Sequence, residues 1–116
     1  MNDLKNNTEF SGYNSTSPQV LWLWEVLDSF DSSERAEFLQ FVTGSSKVPL
    51  DGFKGLIGMR GPQKFTVAKI KSEDFMRLPT GHTCFNQIDL PEYPSKEILH
   101  ERLLLAIKET KGFGFA

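Results

Sequence analysis

Between Phe30 and Ser32 the sequence leaves one residue, Asp31, in which to end one helix and begin the next. Asp31 with Glu34 three positions on has the form of a capping box, in which each carboxylate accepts from the other residue's backbone N–H. The helix before it opens at Ser17-Pro18, where proline's missing N–H would have had no partner in any case. Val20, Leu23, Leu27 and Phe30 fall on one face of that helix, with Trp24 and Val26 beside it. Trp22 is the residue expected to point elsewhere, and two tryptophans so close read as core and core edge more readily than as a binding cage. The second helix turns Phe38, Leu39, Phe41 and Val42 inward and stops at Gly44. So short a connection folds the pair into a tight helical hairpin.

The rest of the chain supplies strands and a last helix, giving the class α+β: a small sheet packed with helices. Residues 1–16 are polar, rich in Asn, Ser and Thr, and read as a linker or hinge, with the domain running from 17 to 116. Ser45–Leu50 reads as a loop. Gly52, Gly55, Gly58 and Gly61 are turn glycines around at most a short helical turn near Phe53 and Leu56; without a Gly-Lys-Ser/Thr ending they do not form a phosphate loop. Lys64–Lys71 is β-branched and aromatic at intervals, hence a strand, and its lysines suggest an edge or an exposed face. Gln87-Ile88-Asp89-Leu90 alternates as a half-buried strand does. Ser95 caps a final helix with Leu99, Leu103, Ala106 and Ile107 inside, and Lys108, Lys111 and Gly112 suit its C-terminal end. A flexible tail, 112–116, carries Phe113 and Phe115, which either dock on the domain or serve a partner.

One hundred and sixteen residues make one domain, too short for a two-lobed enzyme with a cleft. Thirteen basic and fifteen acidic residues are mixed along it, so there is no electrostatic footprint for nucleic acid or an anionic membrane. The single cysteine, Cys84, excludes an internal disulfide, and with two histidines a structural metal site is not expected. Pro79 and Gly81 break regular structure ahead of Cys84, which places the thiol in a loop just before a strand. On an extended segment His82 would share a side with Cys84, and its positive form would favour thiolate. Taken alone, the bland reading of a small buried thiol and a loop histidine is favoured.

The run Leu78-Pro79-Thr80-Gly81-His82-Thr83-Cys84-Phe85-Asn86-Gln87-Ile88-Asp89-Leu90-Pro91-Glu92-Tyr93 closely resembles the active-cysteine region of HECT-type ubiquitin ligases. Phe38-Leu39-Gln40-Phe41-Val42-Thr43-Gly44-Ser45-Ser46-Lys47-Val48-Pro49-Leu50 looks like a second signature of that family, and Leu103-Leu104-Leu105-Ala106-Ile107 with Gly112-Phe113-Gly114 like a third. Together they cover the chain from about Val20 to its end, in the family's order, and the wording is closest to the large multi-domain members.

The resemblance implies the C-terminal lobe of a two-lobed catalytic domain, with residues before about Ser17 as hinge and Met1 beginning an excised fragment. It implies that Cys84 accepts ubiquitin as a thioester and passes it to a substrate lysine, with His82 and Thr83 in support and Phe113 in the tail aiding ligation or chain formation. The partners implied are ubiquitin, a ubiquitin-conjugating enzyme reached through the absent N-terminal lobe, and protein substrates. No cofactor, metal, nucleic acid or membrane is implied, and the isolated lobe is expected to be monomeric, poorly active alone, and cytoplasmic or nuclear. Many members end in an acidic residue, whereas this chain ends Phe115-Ala116; an acid for the incoming lysine would have to be Asp89, Glu92 or a group from the other lobe. Two other functions compete: a binding module for ubiquitin or another partner without chemistry, and a cysteine hydrolase. The hydrolase is the weaker, since His82 is a sequence neighbour of the thiol and His100 sits among charges on the final helix.

Overall fold

The computed structural model describes residues 2–44, 57–58, 61–71 and 77–112. Two helices, α2 (Pro18–Ser29) and α3 (Ser32–Thr43), follow one another directly as expected, but they meet only at the corner and each packs on the final helix, so the tight hairpin expected from the sequence is not formed. Both capping-box bonds are present: Glu34 N donates to Asp31 Oδ1 at 2.8 Å, and Asp31 N donates to Glu34 Oε1 at 3.0 Å. Arg35, one turn into α3, donates to the terminal carbonyls of α2 at Leu27 and Asp28 (3.1 and 3.0 Å), so one helix satisfies the other's orphan acceptors. Gly44 ends α3 at φ +80°, a conformation glycine adopts without steric cost.

The sheet among the described residues is four-stranded. Its order is β1 (Thr8–Ser11), β4 (Phe65–Ile70), β6 (Gln87–Pro91), β5 (Thr80–His82). β1–β4 and β4–β6 are parallel, β6–β5 antiparallel. A separate short pair, β2 (Ile57–Gly58) with β3 (Gly61–Pro62), is antiparallel. The rings of Trp24 and Phe38 meet Phe65 at 6.4 and 6.0 Å, which brings both helices onto β4. Helix α4 (Lys96–Gly112) starts where Ser95 Oγ accepts from Ile98 N, and buries Leu99, Leu103, Ala106 and Ile107 against α2 and α3, the stripe read from the sequence. Trp22 packs only partly on this core.

Two further expectations are corrected. Residues 1–16 are not an irregular linker: Asn2–Asn6 form a short helix, α1, with Leu4 buried, and β1 follows in register from Thr8↔Phe65 to Ser11↔Ala68. The apolar anchors Leu4, Phe10 and Tyr13 are too sparse to set up a period, and the pairing strand lies far along the chain, so nothing local announces β1. Nor is the lysine-bearing strand an edge, since β4 is flanked on both sides. Lys64 and Lys71 fall outside it. Lys69 holds its ammonium over the Tyr13 ring, Nζ 5.7 Å from the centroid, and pairs with Glu92 at 3.0 Å, reaching solvent from a central strand.

Two buried tyrosines hold the segments around the Cys84 hairpin. Tyr13 Oη donates to the Leu90 carbonyl at 2.9 Å, and Tyr93 Oη donates to that of Arg77. Burial pushes both phenols above their ordinary pKa, Glu92 adding to the effect on Tyr13, so both stay protonated donors at neutral pH.

Candidate active site

Cys84 occupies the middle of a 3-10 turn, Thr83–Phe85, and is exposed. The sequence places the thiol in a loop just before a strand, and that strand is β6. What precedes the turn is less expected. Pro79 and Gly81 read as breakers, yet Thr80–His82 is strand β5, paired Thr80↔Asp89, Gly81↔Ile88 and His82↔Gln87. The thiol therefore sits at the tip of a β-hairpin.

The two faces of this hairpin differ. On one, Ile88 is fully buried and the Gly81 backbone lies against the last turn of α3; a Cβ on Gly81 would come to 3.0 Å from the Phe41 carbonyl carbon and well inside contact with its oxygen. Glycine is required there because helix and strand approach too closely for any side chain. On the other face lie His82, Gln87 and Asp89. The His82 ring meets Asp89, Nε2 to Oδ2, at 2.6 Å, and Gln87 Nε2 donates to Asp89 Oδ1 at 2.8 Å. The expected alternation of His82 with Cys84 stops at His82, because the 3-10 turn replaces the extended backbone that it needed.

Thr83 lies beside the end of α3, its Cβ 3.5 Å from where a Cβ on Gly44 would stand. Phe85, 46% exposed, flanks the thiol on its other side. Phe113 lies outside the described residues, as do the Ser45–Leu50 loop and the turn around Phe53. Glu92 is engaged with Lys69, and His100 meets Phe30 at a tilt, with centroids 5.8 Å apart. Among the described residues no three His, Cys, Asp or Glu side chains converge as a metal site.

Asn86 is the residue sequence reasoning passed over. It reverses the chain out of the turn at φ +51°, ψ 44°, the only non-glycine residue with positive φ among those described. Its side chain is 1% exposed and donates to the Gln63 carbonyl at 2.9 Å, while its own carbonyl accepts from Thr66 N at 3.0 Å. Asparagine tolerates the left-handed region and here also ties the turn to the start of β4. The available signal was an Asn closing a Thr-Cys-Phe turn ahead of an alternating strand. Asn86→Ala is expected to cost about 2–3 kcal/mol, from the orphaned Gln63 carbonyl and the left-handed backbone together. Asn86→Gly should recover about 1 kcal/mol of that, the left-handed share. Urea unfolding checks both, and equal losses for the two variants would remove the backbone part of the account.

One exposed thiol thus stands at the tip of a clamped hairpin, with a histidine and a carboxylate joined beside it, in a small α+β domain. A family model described as the HECT domain (ubiquitin-transferase) matches residues 1–116, and the chain belongs to that family. It is 58% identical to the E3 ubiquitin-protein ligase UPL1 of Arabidopsis thaliana over 115 residues, which are 98% of this chain and 3% of that protein. Against the E3 ubiquitin-protein ligase HUWE1 of Mus musculus identity is 57% over 118 residues, 100% of this chain and 3% of the relative. The E3 ubiquitin-protein ligase pub3 of Schizosaccharomyces pombe is 47% identical over 112 residues, 97% of this chain and 14% of the relative. The chain thus spans only a few per cent of the length of its large relatives.

Proposed function

We propose that this chain is the thioester-carrying lobe of a HECT ubiquitin ligase and that Cys84 carries the acyl group. The observation behind this reading is the exposed thiol at the hairpin tip, in a chain of ubiquitin-transferase family. The Cys84 thiolate attacks the carbonyl of ubiquitin held as a thioester on a conjugating enzyme. A new C–S bond forms, and the donor thiolate leaves. A substrate lysine amine then attacks the Cys84 thioester; the C–N bond forms, the C–S bond breaks, and the Cys84 thiolate is regenerated. Exchange between thioesters is nearly balanced, while amide formation runs downhill, so a carrier needs no cofactor.

Thr83 flanks the nucleophile and orients the thioester carbonyl or donates to its developing charge, and His82 supports the transfer from the same turn. Phe113, in the tail, supports ligation. The conjugating enzyme docks on an N-terminal lobe, which raises the effective concentration of its thioester at Cys84. The reaction takes place in the cytoplasm or nucleus, where the thiol remains reduced.

The test uses a ubiquitin-charged conjugating enzyme, mixed either with this chain alone or with a protein in which the chain follows its family's N-terminal lobe. A reducible ubiquitin adduct mapping to Cys84 is expected to form rapidly in the two-lobe protein and at most slowly in the chain alone. Failure of both to form it sinks the reading. The binding-module alternative would instead show ubiquitin titration shifts unchanged by removal of the thiol, with no ligation.

A further inference from the structure

We propose that Asp89 is a positioning residue that holds His82 as the base receiving the acceptor lysine's proton; this rests on Cys84 being the ubiquitin carrier. The geometry is set by the hairpin. His82 stands opposite Gln87 and Thr80 opposite Asp89, so His82, Gln87 and Asp89 share one face beside the turn that carries the thiol. Each Asp89 oxygen has its own donor: Gln87 Nε2 on Oδ1 at 2.8 Å and the imidazole Nε2 on Oδ2 at 2.6 Å. A carboxylate fixed at both oxygens fixes the ring in turn.

That arrangement also selects a tautomer. An ionised carboxylate only accepts, so the proton of a neutral His82 sits on Nε2, and Nδ1 is left with its lone pair. Among the described residues Nδ1 makes no hydrogen bond. The ring is 41% exposed and the carboxylate 20%, so the free nitrogen belongs to a group that an incoming side chain can reach, backed by one that it cannot easily displace. A surface His–Asp pair contributes little to stability, so stability alone gives small reason to add a second donor to the carboxylate.

The chemistry calls for such a base. A lysine acceptor titrates near ~10.4 and is almost wholly ammonium at neutral pH. As an ammonium it has no lone pair, so one proton must leave before its nitrogen can bond to the thioester carbonyl carbon, and a second leaves as the amide forms and the C–S bond breaks. The first goes to His82 Nδ1, giving an imidazolium that the Asp89 carboxylate stabilises through Nε2, the second goes to solvent, and the electron pair of the C–S bond goes to Cys84 Sγ. Solvent then takes the proton from His82.

The experiment charges the 116-residue chain at Cys84 by exchange with a small-molecule ubiquitin thioester, then chases it with free lysine or with hydroxylamine, which is already neutral at pH 7. Asp89→Asn keeps the size but presents an amide donor to the ring, driving the proton to Nδ1. Discharge to lysine is expected to fall at least about tenfold, with discharge to hydroxylamine within about twofold of wild type. His82→Gln should show the same split, and Asp89→Glu should recover part of the lysine rate. Thermal melts of each variant check that the hairpin is folded. If the wild-type chain takes no ubiquitin on Cys84, the carrier reading itself fails. If it loads normally and Asp89→Asn leaves lysine discharge unchanged, or slows both nucleophiles equally, the carrier reading stands and the role given to Asp89 is overturned.

Discussion

Cys84→Ala in the two-lobe protein is expected to abolish the reducible ubiquitin adduct and all transfer to lysine, and Cys84→Ser to leave at most an ester that survives thiol reductant. Alanine offers no nucleophile. Serine offers a hydroxyl that is neutral at pH 7 and a poor leaving group, so even if it is acylated it does not pass the ubiquitin on. The loss should exceed about 10³-fold, because a missing nucleophile is not replaced by positioning alone. Stability should stay within about 0.5 kcal/mol of wild type, since Cys84 is exposed. Reducing and non-reducing electrophoresis with mass mapping reads the adduct, and urea unfolding reads the stability. Cys84 is the chain's only cysteine, so a reducible adduct persisting in Cys84→Ala would locate the nucleophile in the other lobe and end the carrier role of this one.

The helices were legible because their signals are local. The Asp31–Glu34 pair and Ser95 act on backbone amides within one turn, Pro18 opens α2 with a preset φ while the Ser17 hydroxyl accepts from Asn14 N and not from the helix, and the stripes that follow are spaced by helix geometry itself. Strands β1 and β5 were not legible. Each is three or four residues long at a sheet edge, and what makes it a strand is a partner remote in sequence or across a turn. The lysines of the central strand misled for a related reason: charge on a sequence reports where a side-chain head ends, not where its strand lies. Cys84 itself was placed by elementary turn signals but given a role only by family resemblance. Asn86 and Asp89 show what a sequence withholds. The first matters through a positive φ, and the second through a histidine seven residues away that a hairpin brings to 2.6 Å.

Gly81→Ala is expected to destabilise the domain by about 3 kcal/mol, the upper end of the cost of overpacking. Gly81 has no positive φ, so the cost is one of space. The added methyl would strike the Phe41 carbonyl oxygen, 3.0 Å from its carbon and 3.2 Å from ring Cδ2. The carbonyl belongs to helix α3 and cannot swing aside alone, so helix and strand must part and uncover Ile88. Gly44→Ala sets the scale. It places a residue at φ +80° but meets only Thr83 at 3.5 Å, an ordinary contact, and should cost about 1 kcal/mol. Exposed Thr80→Ala on the same strand should cost less than about 0.5 kcal/mol. Urea unfolding with an unchanged m-value tests the ranking. If Gly81→Ala costs less than Gly44→Ala, the close approach of helix and strand is wrong. Where β5 gives way instead of the helix, its pairing with β6 shifts at the point where His82 meets Asp89, so in the charged chain Gly81→Ala should slow discharge to lysine more than discharge to hydroxylamine. A glycine without any chemistry of its own thereby sets whether the histidine and carboxylate beside the thiol meet.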